Sequence, residues 1–202
     1  MYMQKKGGIY LDIKGKKIGF VLTGSFCTFH KVIPKIKELV KKEAEIVPVM
    51  SFNSYQLDTK FGKAETFINE IKEITGKEII HTIADAEPIG PKKMTDIMII
   101  APCSGNTMSK LACDIIDTPA TMAAKSHLRN NRPLVIAPST NNGLSGNAEN
   151  IGKLLNRKNY YFVPFRQDNP ITKPRSIVFD VESIIKTIEY ALEGEQISPI
   201  LI

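Results

Sequence analysis

Ile97-Met98-Ile99-Ile100-Ala101-Pro102-Cys103-Ser104-Gly105-Asn106-Thr107-Met108-Ser109-Lys110-Leu111-Ala112 is the stretch from which the fold can be read. It opens as an apolar run without alternation, breaks at Pro102 into small polar residues, and resumes with Met108, Leu111 and Ala112 at helical spacing. Such a run reads as a strand covered on both faces, the condition of a strand inside a parallel sheet. Pro102 and Gly105 end the strand, and Asn106 or Thr107 stands where a helix N-cap is expected. In open α/β sheets a loop of this kind lies at the carboxyl end of a strand, where ligands bind.

The same alternation continues on both sides. Upstream, Lys16–Leu22 reads as a strand ending in Thr23-Gly24-Ser25, followed by a helix from about Cys27 with Val32, Ile33, Ile36, Leu39 and Val40 on one face. Glu45–Met50 is a second strand, and Gly62–Thr75 a helix closed by Gly76. Glu78–His81 is a short strand candidate, with a polar loop running on through Lys93. Downstream come a helix over Thr118–Arg129, a strand over Pro133–Ala137, a helix over Ala148–Lys158 and a strand over Tyr160–Val163. A long charged loop, Pro164–Ser176, then precedes a closing helix over Val181–Leu192. Ile9–Ile13 could add an edge strand or ribbon. The pattern predicts an α/β fold: a three-layer, Rossmann-like or flavodoxin-like parallel sheet with helices on both faces. It suits a single domain over residues 1–202, with 1–15 as an N-terminal extension and 164–176 as a lid or substrate loop.

Composition narrows the function. Of 202 residues, 43% are hydrophobic, enough for a real core. No run approaches the roughly 18 to 20 apolar residues of a membrane span. No signal-peptide segment follows the basic start, so a cytoplasmic protein is expected. Cys27, Cys103 and Cys113 lack metal-site spacing, and no metal is expected. Lys and Arg outnumber Asp and Glu by 27 to 21, a net charge of +6. Lys31, Lys35, Lys37, Lys41 and Lys42 fall along a helix without interleaved aromatics, which points away from nucleic acid and reads mostly as solvated surface, with a bias toward anionic small molecules.

Small polar clusters close several strands: Thr23-Gly24-Ser25, Ser51 with Asn53, Ser104-Gly105-Asn106-Thr107, and Ser139-Thr140-Asn141. A parallel sheet lines all of them along one edge. Small residues admit a ligand close to the backbone, and free N–H groups at helix starts bind phosphate without Lys or Arg. There is no G-x-G-x-x-G or G-x-x-x-x-G-K-[ST], which argues against the standard dinucleotide fold and the P-loop NTPases. The physical reading is a site for a phosphorylated planar cofactor.

At these residues the chain resembles the flavoprotein family that contains the flavin-dependent cysteine decarboxylases and the flavin prenyltransferases. The carriers are Gly24-Ser25, Pro102-Cys103-Ser104-Gly105-Asn106-Thr107 in place of the family's Pro-Ala-Ser-Ala-Asn-Thr, and Pro138-Ser139-Thr140-Asn141 in place of Pro-Ala-Met-Asn. The resemblance implies FMN, its phosphate at Gly24, Ser25 and Ser51 and its ring at the second motif, in trimers that often assemble into dodecamers. A closer likeness is to a sporulation branch of the family, whose members are one half of a two-subunit oxidoreductase. It is carried by Asp85-Ala86-Glu87-Pro88-Ile89-Gly90-Pro91-Lys92, Leu128-Arg129-Asn130-Asn131-Arg132-Pro133 and Lys158 through Asp168. That likeness implies oxidation of dihydrodipicolinate to dipicolinate with the Rossmann-type A subunit of dipicolinate synthase as partner, in the mother cell of a spore former. A non-catalytic, partner-binding subunit and a decarboxylase-like enzyme are the alternatives. The decarboxylases' catalytic His shortly before the central strand is replaced here by Pro88, and the prenyltransferases' Arg near Ser139 is missing. Arg166, Lys173 and Arg175 are the candidate carboxylate clamps. His30 and Cys103 are the candidate catalytic groups, with Asp168 and Glu87 as further acids or bases.

Overall fold

The computed structural model describes residues 12–202. Its strands are β1 (Lys17–Leu22), β2 (Glu45–Met50), β3 (Ile97–Cys103), β4 (Leu134–Thr140), β5 (Tyr160–Phe162), β6 (Phe165–Asn169) and β7 (Lys173–Phe179). Its helices are α1 (Phe29–Lys41), α2 (Phe52–Gln56), α3 (Ala64–Thr75), α4 (Ile83–Ala86), α5 (Gly105–Ala112), α6 (Pro119–Leu128), α7 (Ala148–Leu155) and α8 (Ile184–Leu192). The sheet runs β2-β1-β3-β4-β7-β6, with β5 also paired to β4. The five strands β1 to β5 pair in parallel. Helices α1, α3 and α8 pack together as one layer and α4 to α7 as the other, the Rossmann-like arrangement expected. Among the described residues, no helix is long and apolar enough to cross a membrane.

All seven residues of β3 are buried, as an unalternating apolar run requires. Burying an Ile or Met side chain contributes about 1.5–3 kcal/mol, so this strand is a main source of the core's stability. The helices on its faces are built for close approach. In α6, Ala120, Ala123 and Ala124 have no exposed surface. Thr118 and Thr121 form a capping box at its start, with Pro119 in the first turn. Near its other end His127 is buried: Nε2 donates to the Pro133 carbonyl (2.9 Å) and Nδ1 faces the Thr95 hydroxyl (2.8 Å). The ring thus ties α6 to the segments entering β3 and β4. Burial pushes its pKa down to about 4, so it stays neutral.

On the edge away from β3, strand β4 is shared between two partners. Leu134–Ile136 pair in parallel with β5, whereas Ser139 and Thr140 pair antiparallel with Val178 and Ile177 of β7. The β6–β7 hairpin therefore stands beside the carboxyl edge of the sheet. This corrects the expected long loop over Pro164–Ser176: most of it is paired strand. Other expectations shift as well. Glu78–His81 forms a single bridge, Ile80 to Val49, rather than a strand. The loop through Lys93 contains α4 and a 3-10 turn over Glu87–Ile89. The helix after Ala148 ends at Leu155. Of the expected ribbon over 9–13, residues 9–11 lie outside the described residues, and Asp12 and Ile13 are not strand.

Candidate functional site

The carboxyl ends of β1, β3 and β4 open onto a cavity of about 660 Å³, which the hairpin also walls. Thr23, just past β1, holds two of these ends together. Its buried hydroxyl donates to the Pro102 carbonyl (2.8 Å) and accepts from the Ser104 N–H (2.9 Å). Ser25 reaches across to β4 and donates to the Ser139 carbonyl at 2.6 Å. Two hydroxyls that follow β1 thus tie its end to those of β3 and β4.

Two helix starts face the same cavity. The chain leaves Ser25 into a 3-10 turn, Phe26–Thr28, that leads into α1. Helix α5 starts at Gly105, and its cap is Ser104, whose hydroxyl accepts from the Thr107 N–H; the expected caps Asn106 and Thr107 lie inside the helix. The N–H groups of Phe26, Cys27, Gly105 and Asn106 find no acceptor among the described residues. Such first-turn donors are an anion site wherever they meet open space.

Behind α5 lies an amide network. Thr140 Oγ1 and Asn147 Nδ2 both donate to Asn142 Oδ1 at 2.7 Å, and Ser109 Oγ donates to Asn147 Oδ1 at 2.9 Å. A Cβ on Gly105 would stand 2.7 Å from Asn147 Nδ2 and 2.8 Å from Asn142 Oδ1, besides colliding with Thr140 Oγ1. Gly105 is therefore required by the fit between helix start and network.

The cavity brings together most of the proposed cofactor residues: Gly24, Ser25, Ser104, Gly105, Asn106, Ser139, Thr140 and Asn141 all line it. Three others do not. Ser51 is buried and caps α2, accepting from the Ser54 N–H. Asn53 stands behind Gly24, its Cβ 3.9 Å from where a Gly24 Cβ would be. Thr107 is buried, with Oγ1 3.1 Å from Ser104 Oγ. Of the expected clamps, Lys173 lines the cavity, whereas the exposed Arg166 and Arg175 lie outside it. Both expected catalytic groups lie outside it too. His30 is exposed on the first turn of α1. Cys103 is fully buried at the end of β3, and desolvation pushes its thiol far up, so it fills space as a neutral thiol. Glu87 is exposed on its turn away from the cavity.

Several lining residues go beyond the sequence expectations: Lys31, Phe26, Cys27, Thr28, Phe61, Asn142 and Ser176 to Val178. Asn142 is within reach of sequence reasoning, because it extends the polar end of β4 by one residue. The hairpin residues are not, because their strand pairing leaves no clear pattern in the sequence. The charged groups on the wall are Lys31, Lys173 and Asp168, the last two paired at 2.6 Å. The Asp168 carboxylate bonded to Lys173 raises the lysine's pKa.

A parallel sheet whose carboxyl edge opens onto a cleft faced by helix starts defines the ligand-binding α/β proteins as a class, and comparison with known proteins identifies the family. Residues 10–190 match the Flavoprotein family, and the chain belongs to it. It is 48% identical over 191 residues to the B subunit of dipicolinate synthase from Bacillus subtilis, spanning 95% of this chain and 96% of that protein. The crystal structure of the corresponding dipicolinate synthase B subunit from Bacillus halodurans superposes with a TM-score of 0.87 at 46% identity, covering 95% of this chain and 98% of that one. The FMN-dependent cysteine decarboxylase SpaF, at 21% identity and a TM-score of 0.67, shares the fold over 90% of this chain and 99% of its own.

Proposed function

We propose that the cavity binds FMN and that the chain is the flavin subunit of a dipicolinate synthase, oxidising dihydrodipicolinate to dipicolinate. The observation that carries the cofactor is the convergence of two helix starts, with four N–H groups lacking acceptors among the described residues, on one cavity floored by Gly24 and Gly105. The N–H groups of Phe26 and Cys27 suit the phosphate, and those of Gly105 and Asn106, with the amides of Asn141 and Asn142, suit the polar edge of the ring. A volume of about 660 Å³ fits a mononucleotide cofactor with room for a small ring beside it. The kinship with the B subunits of dipicolinate synthases supports the substrate.

When bound, the flavin supplies a two-electron acceptor for the hydride that leaves the dihydropyridine ring. The chain's own residues do the rest. Cations and N–H groups hold the substrate carboxylates. Asp168, the carboxylate on the cavity wall, accepts the ring proton lost as the pyridine becomes aromatic. The hairpin and Phe61 form the outer wall against which the substrate ring can pack. Decarboxylation of the family's kind is disfavoured, since no histidine among the described residues lines the cavity.

The reading includes self-association and an A-subunit partner. Helix α6 offers little surface for this, because its Pro119, Thr121, Ser126 and His127 are buried within its own chain along with its alanines. Ile171 at the hairpin tip, 90% exposed, and Leu144 and Phe61, about half exposed, are apolar groups near the site that remain free for contact. Titration of the purified chain with FMN and with riboflavin tests the cofactor assignment. FMN is expected to bind more tightly than riboflavin, and Ser25→Asp to erase that preference by placing a carboxylate against the phosphate. Equal binding of the two flavins, or a preference that survives Ser25→Asp, rejects it.

A further inference from the structure

The cavity wall carries only three charged side chains among the described residues, and they are not equivalent. Lys31 projects from the start of α1, four residues after Cys27, which also lines the cavity. It forms no ion pair among the described residues. Lys173 comes from a different wall, the first residue of β7, whereas α1 follows β1, which β3 and β4 separate from β7 in the sheet order. Asp168 of β6 sits on Lys173, Oδ2 to Nζ at 2.6 Å, with both side chains substantially exposed. Lys173 is therefore already holding a carboxylate, and Lys31 is holding none.

Cations on two different elements suit a ligand with two carboxylates fixed on a rigid ring, because each carboxylate can then meet its own lysine. An exposed lysine–carboxylate pair is worth close to nothing in net stability. A ligand carboxylate can therefore take the place of Asp168 at little cost, because Lys173 keeps a carboxylate partner throughout. We infer that Lys31 and Lys173 each read one carboxylate of a planar dicarboxylate, and that Asp168 is a resident stand-in which the ligand displaces. The inference rests on the function proposed above and adds how the substrate class is told from monocarboxylates. Asp168, once displaced, stays on the cavity wall with its carboxylate unpaired, where a proton acceptor is needed.

The full chain, saturated with FMN, is titrated calorimetrically with pyridine-2,6-dicarboxylate and with pyridine-2-carboxylate. In the native chain the second contact only takes the place of Asp168 on Lys173, so the dicarboxylate is expected to be favoured by a few-fold, and in Asp168→Asn, where Lys173 is free, by about tenfold or more. Lys31→Gln and Lys173→Gln should each abolish that preference, and Asp168→Asn should tighten the dicarboxylate more than the monocarboxylate by removing the carboxylate that competes at Lys173. The affinity for FMN should stay the same in all three variants. A preference that survives either lysine change overturns the inference while leaving the proposed function standing. So does a loss of FMN affinity with the preference intact, which would assign the lysines to the phosphate. Loss of the preference on Arg166→Gln or Arg175→Gln would move the recognition outside the cavity and overturn it likewise. A native chain that takes up neither acid rejects the inference and the proposed substrate together.

Discussion

Replacing Thr23 by valine tests whether the rim of the cavity is held by hydrogen bonds or by packing. Thr23 is 1% exposed, and its hydroxyl bonds Pro102 O at 2.8 Å and Ser104 N at 2.9 Å. Valine has nearly the same shape, so no cavity forms, and the change isolates the hydroxyl. It leaves one buried N–H and one buried carbonyl without a partner, each costing about 1–3 kcal/mol. Water entering from the adjacent cleft relieves part of this, so the loss should be about 2–4 kcal/mol. Thr23→Ser keeps the hydroxyl and loses one methyl, for about 1 kcal/mol. Thr23 also positions Ser104, whose hydroxyl caps α5, so valine should weaken FMN binding about tenfold whereas serine should not. Urea unfolding followed by circular dichroism gives the stabilities, and flavin titration the affinities. A valine variant within about 0.5 kcal/mol of the native chain, or a serine variant worse than valine, would refute the reasoning.

Two glycines should respond to alanine with opposite signs. Gly105→Ala drives a methyl into Asn147 and Asn142 at 2.7 and 2.8 Å, and thermal unfolding should show a cost of about 2–4 kcal/mol, with the flavin site lost in titration. Gly152→Ala, in α7 with nothing within 4 Å of the new Cβ, should gain about 0.5–1 kcal/mol, a rise of about 2–4 °C in Tm per kcal/mol. His127 should make the fold acid-sensitive. Its pKa is about 4 folded against 6.5 unfolded, so between these pH values the unfolded chain binds the extra proton and stability falls as pH falls. The full loss is about 3 kcal/mol below pH 4, and urea midpoints measured across this range should lose that slope in His127→Gln.

The centre of the fold is legible in sequence because β3 is buried on both faces and says so in every residue, and because Gly76, at φ 65°, ends α3 where only a left-handed residue fits easily. The hairpin is not, because burial does not hold it. After Phe165, the rest of β6 is exposed, and so are the first three residues of β7, so neither shows the alternation that marks a half-buried strand. One signal is available: Asn169-Pro170, whose asparagine Oδ1 accepts from the N–H groups of Ile171 and Thr172 and makes the turn. The cofactor residues follow from side-chain size and position after strands, which is backbone information, and eight of them share one cavity. The charged and catalytic candidates depend on which way a side chain points. Residue type does not report that: Arg166, Arg175, His30 and Cys103 all lie elsewhere, while Lys31, one of a row of helix lysines that reads as solvated surface, lines the cavity.

On the proposed function, the cavity joins a flavin to a dihydropyridine dicarboxylate. The most direct test is anaerobic mixing of the FMN-loaded chain with dihydrodipicolinate, following flavin absorbance and pyridine-2,6-dicarboxylate together. Loss of the oxidised flavin spectrum, matched mole for mole by dipicolinate formed, is the expected result. A flavin that binds and stays oxidised in the presence of excess dihydrodipicolinate would contradict the proposal.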